Sequence, residues 1–206
     1  MVAAMTPLVA VAAVALVAWF AAGTIWNVRL GGQVMRWMQA GLPVIGSRST
    51  VRWLGSSVVE LVINEGKAAL ARAAVVIFME PRDLPWWPLS RIRGRRDTLI
   101  IRGVLRRTPS IELEVLDPAS WSGRDALVRV PKEWPVHDFK QLKIFGEQKR
   151  AEALLALAGR SGLEVMRLSV RRAEPHFQLH VALPDRGRAS REFFEAVHDL
   201  SELALK

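Results

Sequence analysis

The first 28 residues of this 206-residue chain carry no ionisable side chain. From Pro7 to Trp26 the run is almost wholly apolar. Coiled as a helix at about 1.5 Å per residue, it measures about 30 Å, the thickness of a bilayer's hydrocarbon core. A helix with no polar face does not suit the surface of a soluble domain. The segment therefore predicts a transmembrane anchor over residues 1–28. Thr6 fits an N-cap, and Pro7 fits the first helical position, where no amide hydrogen is needed. Trp19 and Trp26 have amphipathic rings suited to the headgroup boundary, and Asn27 and Arg29 follow them. Ala15, Ala18 and Ala22 share one helical face, small enough to admit a partner helix.

A cleaved signal peptide is the main competing reading, with Ala21-Ala22-Gly23 as its small-residue cleavage site. Two features weigh against it. No Lys or Arg precedes the apolar run, and the run exceeds the usual signal core of about 7–15 residues. Flanking charge sets the orientation. Arg29, Arg36, Arg48 and Arg52 all come before the first acidic residue, Glu60. Positive flanks stay in the cytoplasm. The expectation is a single-pass protein of a cell inner or plasma membrane, its N-terminus outside and everything after Arg29 cytoplasmic. The lack of cysteine and of Asn-x-Ser/Thr is compatible with a reducing compartment.

Residues 29–45 read as a juxtamembrane amphipathic segment. Val34, Trp37, Met38 and Leu42 form a stripe at helical spacing, suited to the membrane interface or to packing on the domain that follows. Gly41, Pro43 and Gly46 end it. The remaining roughly 160 residues suffice for one real core or two small lobes. Pro131 to Pro135 marks a boundary between a β-rich lobe, 46–131, and a helix–strand–strand–helix lobe, 132–206.

Within the first lobe, 50–54, 58–63, 74–79 and 97–107 read as strands, with 111–116 returning from the last as a hairpin. That hairpin would bring Arg106 and Arg107 near Glu112 and Glu114. In the second lobe, 147–158 and 190–204 have helical periodicity, and 165–171 and 176–183 alternate as strands. The predicted class is α+β, an antiparallel-dominated sheet with helices packed on it.

The search for chemistry is mostly empty. His176 and His180 would lie about 13 Å apart on a strand, too far to share one ion, and are expected to face solvent. Without cysteine, a structural zinc or iron–sulfur site lacks the thiolates it is ordinarily built on. No phosphate-cradling glycine loop is present, and Ser120-Trp121-Ser122-Gly123 lacks the first glycine of a nucleophile elbow. The scattered aspartates sit beside Pro, Gly or Arg, as turn formers do. No catalytic residue, metal ligand or cofactor is assigned, and the chain reads as a non-enzyme.

One segment stands out. Residues 81–107 hold eight arginines against Asp83 and Asp97, six of the nine net positive charges. Trp86 and Trp87 lie between Pro85 and Pro88, and Arg91, Arg93, Arg95 and Arg96 follow. Stiff aromatic rings next to guanidinium groups suit headgroup depth on an anionic bilayer, or a hot spot against a protein. With Trp26, Arg29 and Trp37 they form the expected membrane-interface or partner-contact set. The expected role is a non-enzymatic, membrane-anchored accessory or scaffold subunit, with a protein partner or a second copy of itself. Peripheral binding to anionic lipid is the alternative. Two further readings are disfavoured: nucleic-acid binding, which charge alone supports without a recognition helix or recurring strand aromatics, and an enzyme whose site is assembled from dispersed residues with no recognisable motif.

Overall fold

The computed structural model describes residues 2–205, with side chains from Pro7 onward. Its elements are α1 (Val2–Gln39), β1 (Gly46–Trp53), β2 (Val58–Gly66), β3 (Leu70–Phe78), α2 (Trp87–Ile92), β4 (Thr98–Leu105), β5 (Leu113–Leu116), α3 (Trp121–Leu127), β6 (Val136–Phe139), β7 (Leu142–Gly146), α4 (Gln148–Arg160), β8 (Val165–Val170), β9 (Phe177–Ala182) and α5 (Ser190–Leu205). A short 3₁₀ turn over Leu42–Val44 joins α1 to β1. The strands form one nine-stranded sheet in the order β1-β2-β3-β4-β9-β8-β5-β7-β6. Every neighbouring pair is antiparallel, so the class is α+β as the alternating sequence pattern predicts.

One face of the sheet carries the core. Val59, Leu61, Ile63, Val75, Ile77, Leu99, Ile101, Leu113, Val115, Leu168, Leu179 and Val181 alternate along their strands onto this face. The buried stripes of α4 (Ala151, Leu154, Leu155, Ala158) and α5 (Phe193, Val197, Leu200, Ala204) cover it. The same apolar cluster includes Val34, Met38 and Ile45. Strands from either side of the 131/132 boundary pair directly, β5 with β7 and β8, and β4 with β9.

The juxtamembrane stripe is placed by this packing. Residues 29–39 do not form a separate interfacial helix. They continue α1 without a break, and Val34 and Met38 are fully buried against the domain. A helix carrying an apolar stripe beside an uncovered sheet face loses more water by docking there than by lying at a bilayer surface. At the start, α1 begins at Val2, so Pro7 is inside the helix and not at its first position. The cap expected at Thr6 involves a side chain outside the described residues.

The expected hairpin between β4 and β5 does not form. β4 is apolar on both faces and lies inside the sheet, between β3 and β9. The chain leaves it through residues 106–112, and β5 pairs instead with β7 and β8. Arg106 turns to the carbonyls of Gly66 and Ala68. Glu114 finds other cations: Arg167 Nε at 2.5 Å and Arg171 Nη2 at 2.8 Å, with Ser169 Oγ at 2.9 Å. Expected beside Arg106 and Arg107, Glu114 is instead completely buried beside Arg167 and Arg171. Two arginines and a hydroxyl supply the hydrogen bonds that burial of a carboxylate demands.

The docking of α1 has a direct test. Met38→Ala lowers the stability of the detergent-solubilised chain by about 2–5 kcal/mol in denaturant unfolding. Val11→Ala, on the exposed part of the same helix, stays within about 0.5 kcal/mol. Equal effects would return residues 29–39 to the surface.

Candidate functional site

Two glycines and one asparagine fasten α1 to the sheet. Gly23, Asn27 and Gly31 recur every four residues and so lie on one helical face. A Cβ at Gly23 would come within 2.4 Å of the Arg82 and Asp83 backbone, and one at Gly31 within 2.7 Å of the Trp53 ring. Only glycine allows the helix this close. Asn27 is fully buried between them. Its amide nitrogen donates to the Glu80 carbonyl at 3.0 Å and to Ser57 Oγ at 3.1 Å. Its oxygen accepts from Arg82 Nη1 at 3.1 Å.

Arg82 extends this network. It grips Asp97 with two hydrogen bonds, 3.0 and 2.7 Å, in the planar fork-to-fork geometry specific to arginine. Asp97 Oδ1 also accepts the Glu80 amide at 2.8 Å. The buried Glu80 carboxylate accepts from Trp87 Nε1 and from Arg91 Nη1. Ser56 Oγ donates to Asp83 Oδ2 at 2.7 Å. The β1–β2 turn, the β3–β4 segment and α1 are thereby tied into one polar cluster at a single end of the sheet.

From this end the apolar helix departs. Residues 7–22 of α1 are exposed along their length, Ala15, Ala18 and Ala22 included, and the first buried position is Gly23. Among the described residues this is the one helix long and apolar enough to cross a membrane. Around its exit lie the residues singled out in the sequence. Trp26 is exposed, with the Arg82 guanidinium 5.8 Å from its ring, and Arg29 is exposed beside it. On the outside of α2, Trp86, Leu89 and Ile92 are 58%, 59% and 82% exposed at a spacing of three. These large apolar side chains share one side of a short helix and are mostly open to solvent.

The expected contact set divides in two. Trp26, Arg29, Trp86, Arg91, Arg93 and Arg96 are at the surface, and Arg95 is half-buried. Trp37 lies apart from them. Its ring packs against Phe193 and its Nε1 donates to the Arg188 carbonyl at 2.8 Å. Trp87 is half-buried and committed to Glu80. Sequence reasoning missed Trp121 and Arg124, because residues 117–123 read as a loop. The signal was Ser120, whose hydroxyl accepts the Gly123 amide and caps α3.

Grooves flank the junction. One of about 440 Å³ runs between Trp26, Arg29, Leu30 and Arg186, and another of about 590 Å³ adjoins it at Leu30. Both signs of charge line the second, with Glu80, Asp97, Glu164 and Asp185 facing Arg91, Arg96 and Arg186. Among the described residues no three His, Asp or Glu side chains come together as metal ligands would.

The histidines do not face solvent. His176 Nδ1 accepts the Leu105 amide at 3.0 Å, and His180 is buried with neither ring nitrogen hydrogen-bonded. β9 lies between β4 and β8, so neither of its edges is free, and His180 is buried although it lies on the face opposite Leu179 and Val181. Burial, then the nearby Arg167 and Arg102 charges, lowers the His180 pKa from 6.5 to about 3. No protein-family model and no curated protein matches the chain.

His180 generates an acid-sensitivity prediction. The unfolded imidazole takes a proton near 6.5, the folded one only near 3. Stability is therefore undiminished by this group above 6.5 and falls as the pH drops from 6.5 towards 3. Between pH 7 and 4.5 this one group removes about 2–3 kcal/mol. Urea unfolding of His180→Leu should show a loss smaller by that amount. Identical pH dependence in the two proteins would contradict the assignment.

Proposed function

We propose that the chain is a single-pass, membrane-anchored, non-enzymatic domain that serves as an accessory or scaffold subunit on the cytoplasmic face of its membrane. The observation that carries this reading is the shared location of three features. The free apolar half of α1, the exposed Trp86-Leu89-Ile92 side of α2 and the arginines of residues 91–96 lie at one end of the sheet. A helix crossing the bilayer from this junction brings the other two to headgroup depth, where tryptophan rings and guanidinium groups are both favoured. The fastened junction supports a fixed pose, since a domain held at Gly23, Asn27 and Gly31 does not swing on a linker.

Two further points support retention of the apolar segment. Gly23 lies inside the small-residue run that a signal peptidase would cut, and it is packed on the Arg82 and Asp83 backbone. Cleavage there would free a contact the fold uses. The orientation rests on Arg29, Arg36, Arg48 and Arg52 following the apolar run. The scaffold role is supported by the extent of exposed apolar surface at the junction, which suits a lipid or protein contact.

The chain has no cysteine, so single cysteines can be placed at will. Ala3→Cys in intact cells should react with a membrane-impermeant maleimide. Val136→Cys, at an exposed position of β6, should react only after permeabilisation. Carbonate washing should leave the chain in the membrane. The reverse labelling would overturn the orientation, and a mature N-terminus near Thr24 would overturn the anchor.

A further inference from the structure

A third groove lies beside the helix exit, between α2 and α3, with a volume of about 390 Å³. Trp86, Leu89, Arg93, Arg95, Trp121 and Arg124 line it, and no carboxylate does. Its three arginines have no ion-pair partner among the described residues. This sets them apart from Arg82 and Arg91, which are paired with Asp97 and Glu80.

Two of the three cations are held in place. The Arg95 guanidinium lies 5.4 Å from both the Phe78 and Trp121 rings, which stack on each other at 5.4 Å. Its Nε is buried and has no hydrogen-bond acceptor. Arg124 donates to the Ala119 carbonyl at 2.6 Å and to the Arg93 carbonyl at 2.7 Å. Those carbonyls orient the guanidinium without neutralising it. Three like charges converging on one groove repel one another, and a bound anion reverses the sign of that interaction. Arginine's planar donors match the oxygens of a phosphate.

The apolar wall decides which phosphate. Trp86 and Leu89 belong both to the groove and to the exposed side of α2. Inorganic phosphate gains nothing from that wall, whereas acyl chains leaving the groove pass over it into the bilayer. We infer that the groove binds the phosphate of an anionic phospholipid, with Arg93, Arg95 and Arg124 as its ligands and Trp86 and Leu89 as the exit for the chains. This rests on the membrane-anchored reading above and adds a defined site to it.

The test uses the full chain in a zwitterionic or non-ionic detergent. Native mass spectrometry reads the retention of short-chain phosphatidylglycerol, phosphatidylcholine and inorganic phosphate. Phosphatidylglycerol should bind at least about tenfold more tightly than either of the others, because the choline cation of phosphatidylcholine is repelled by the three arginines and inorganic phosphate has no acyl chains for the apolar wall. Arg95→Gln and Arg124→Gln should each remove about tenfold of that preference. Arg93→Gln should lower it too, and its exposed side chain makes no contact the fold needs, so it serves if either of the others misfolds. Arg107→Gln, at the opposite end of the sheet, should change nothing. Equal retention of inorganic phosphate would overturn the lipid as source. An equal loss with Arg107→Gln, or no preference at all, would overturn the site. Carbonate extraction of the same proteins reads anchoring separately, so failure of the groove and failure of the anchor are distinguishable.

Discussion

Everything at the working end of this protein depends on the buried Asn27. An asparagine near the end of an apolar helix is costly to bury unless each of its polar atoms finds a partner. Here the Glu80 carbonyl, Ser57 and Arg82 satisfy both ends of the amide. Those groups come from two different loops of the sheet. One side chain therefore fixes the helix in rotation and depth, while Gly23 and Gly31 bring the backbone close enough for it to reach. Arg82 passes the constraint on to Asp97 and so to the start of β4. Half-satisfied, such a network would destabilise the junction; fully satisfied, it specifies one arrangement.

The consequence is a molecule whose membrane-spanning candidate and folded domain share one continuous helix. A flexible linker would let the domain explore many orientations over a bilayer. A helix docked from Gly23 onward allows few. The same sheet end then always presents α2, the groove between α2 and α3, and the unpaired arginines. Paired and unpaired arginines do different work here. Arg82, Arg167 and Arg171 neutralise buried carboxylates and hold the fold. Arg93, Arg95 and Arg124 have no such partner among the described residues.

Much of this was legible in the sequence, where local pattern decides the outcome. The apolar run of α1, the 3.6-residue stripes of α4 and α5, and the alternation of β2, β8 and β9 each depend on neighbours in sequence, and each lies close to its expected place. Strand pairing is a long-range property, and there the reading failed. Nothing within 97–116 reveals that β9 occupies the flank of β4 that a hairpin would have used. The short helix α3 carries weak periodicity, so its first residues read as a loop, and α2 and β6 are too short for periodicity to place. His180 read as solvent-facing by alternation alone, because alternation names a face without saying what covers it; the burial of Glu114 is hidden for the same reason. The Gly23-Asn27-Gly31 spacing was visible from the start. Attention to the neighbouring alanine face hid the fact that the small and polar positions form the docking stripe.

Depth in the bilayer tests the central claim most directly. Nitroxide labels at Val14→Cys, Ile92→Cys and Glu174→Cys of the chain in lipid nanodiscs report accessibility to oxygen and to a water-soluble relaxant. The account predicts position 14 in the hydrocarbon core, position 92 at the headgroups and position 174 fully in water. Position 92 as open to the water-soluble relaxant as position 174 would contradict a domain held with this end against the membrane.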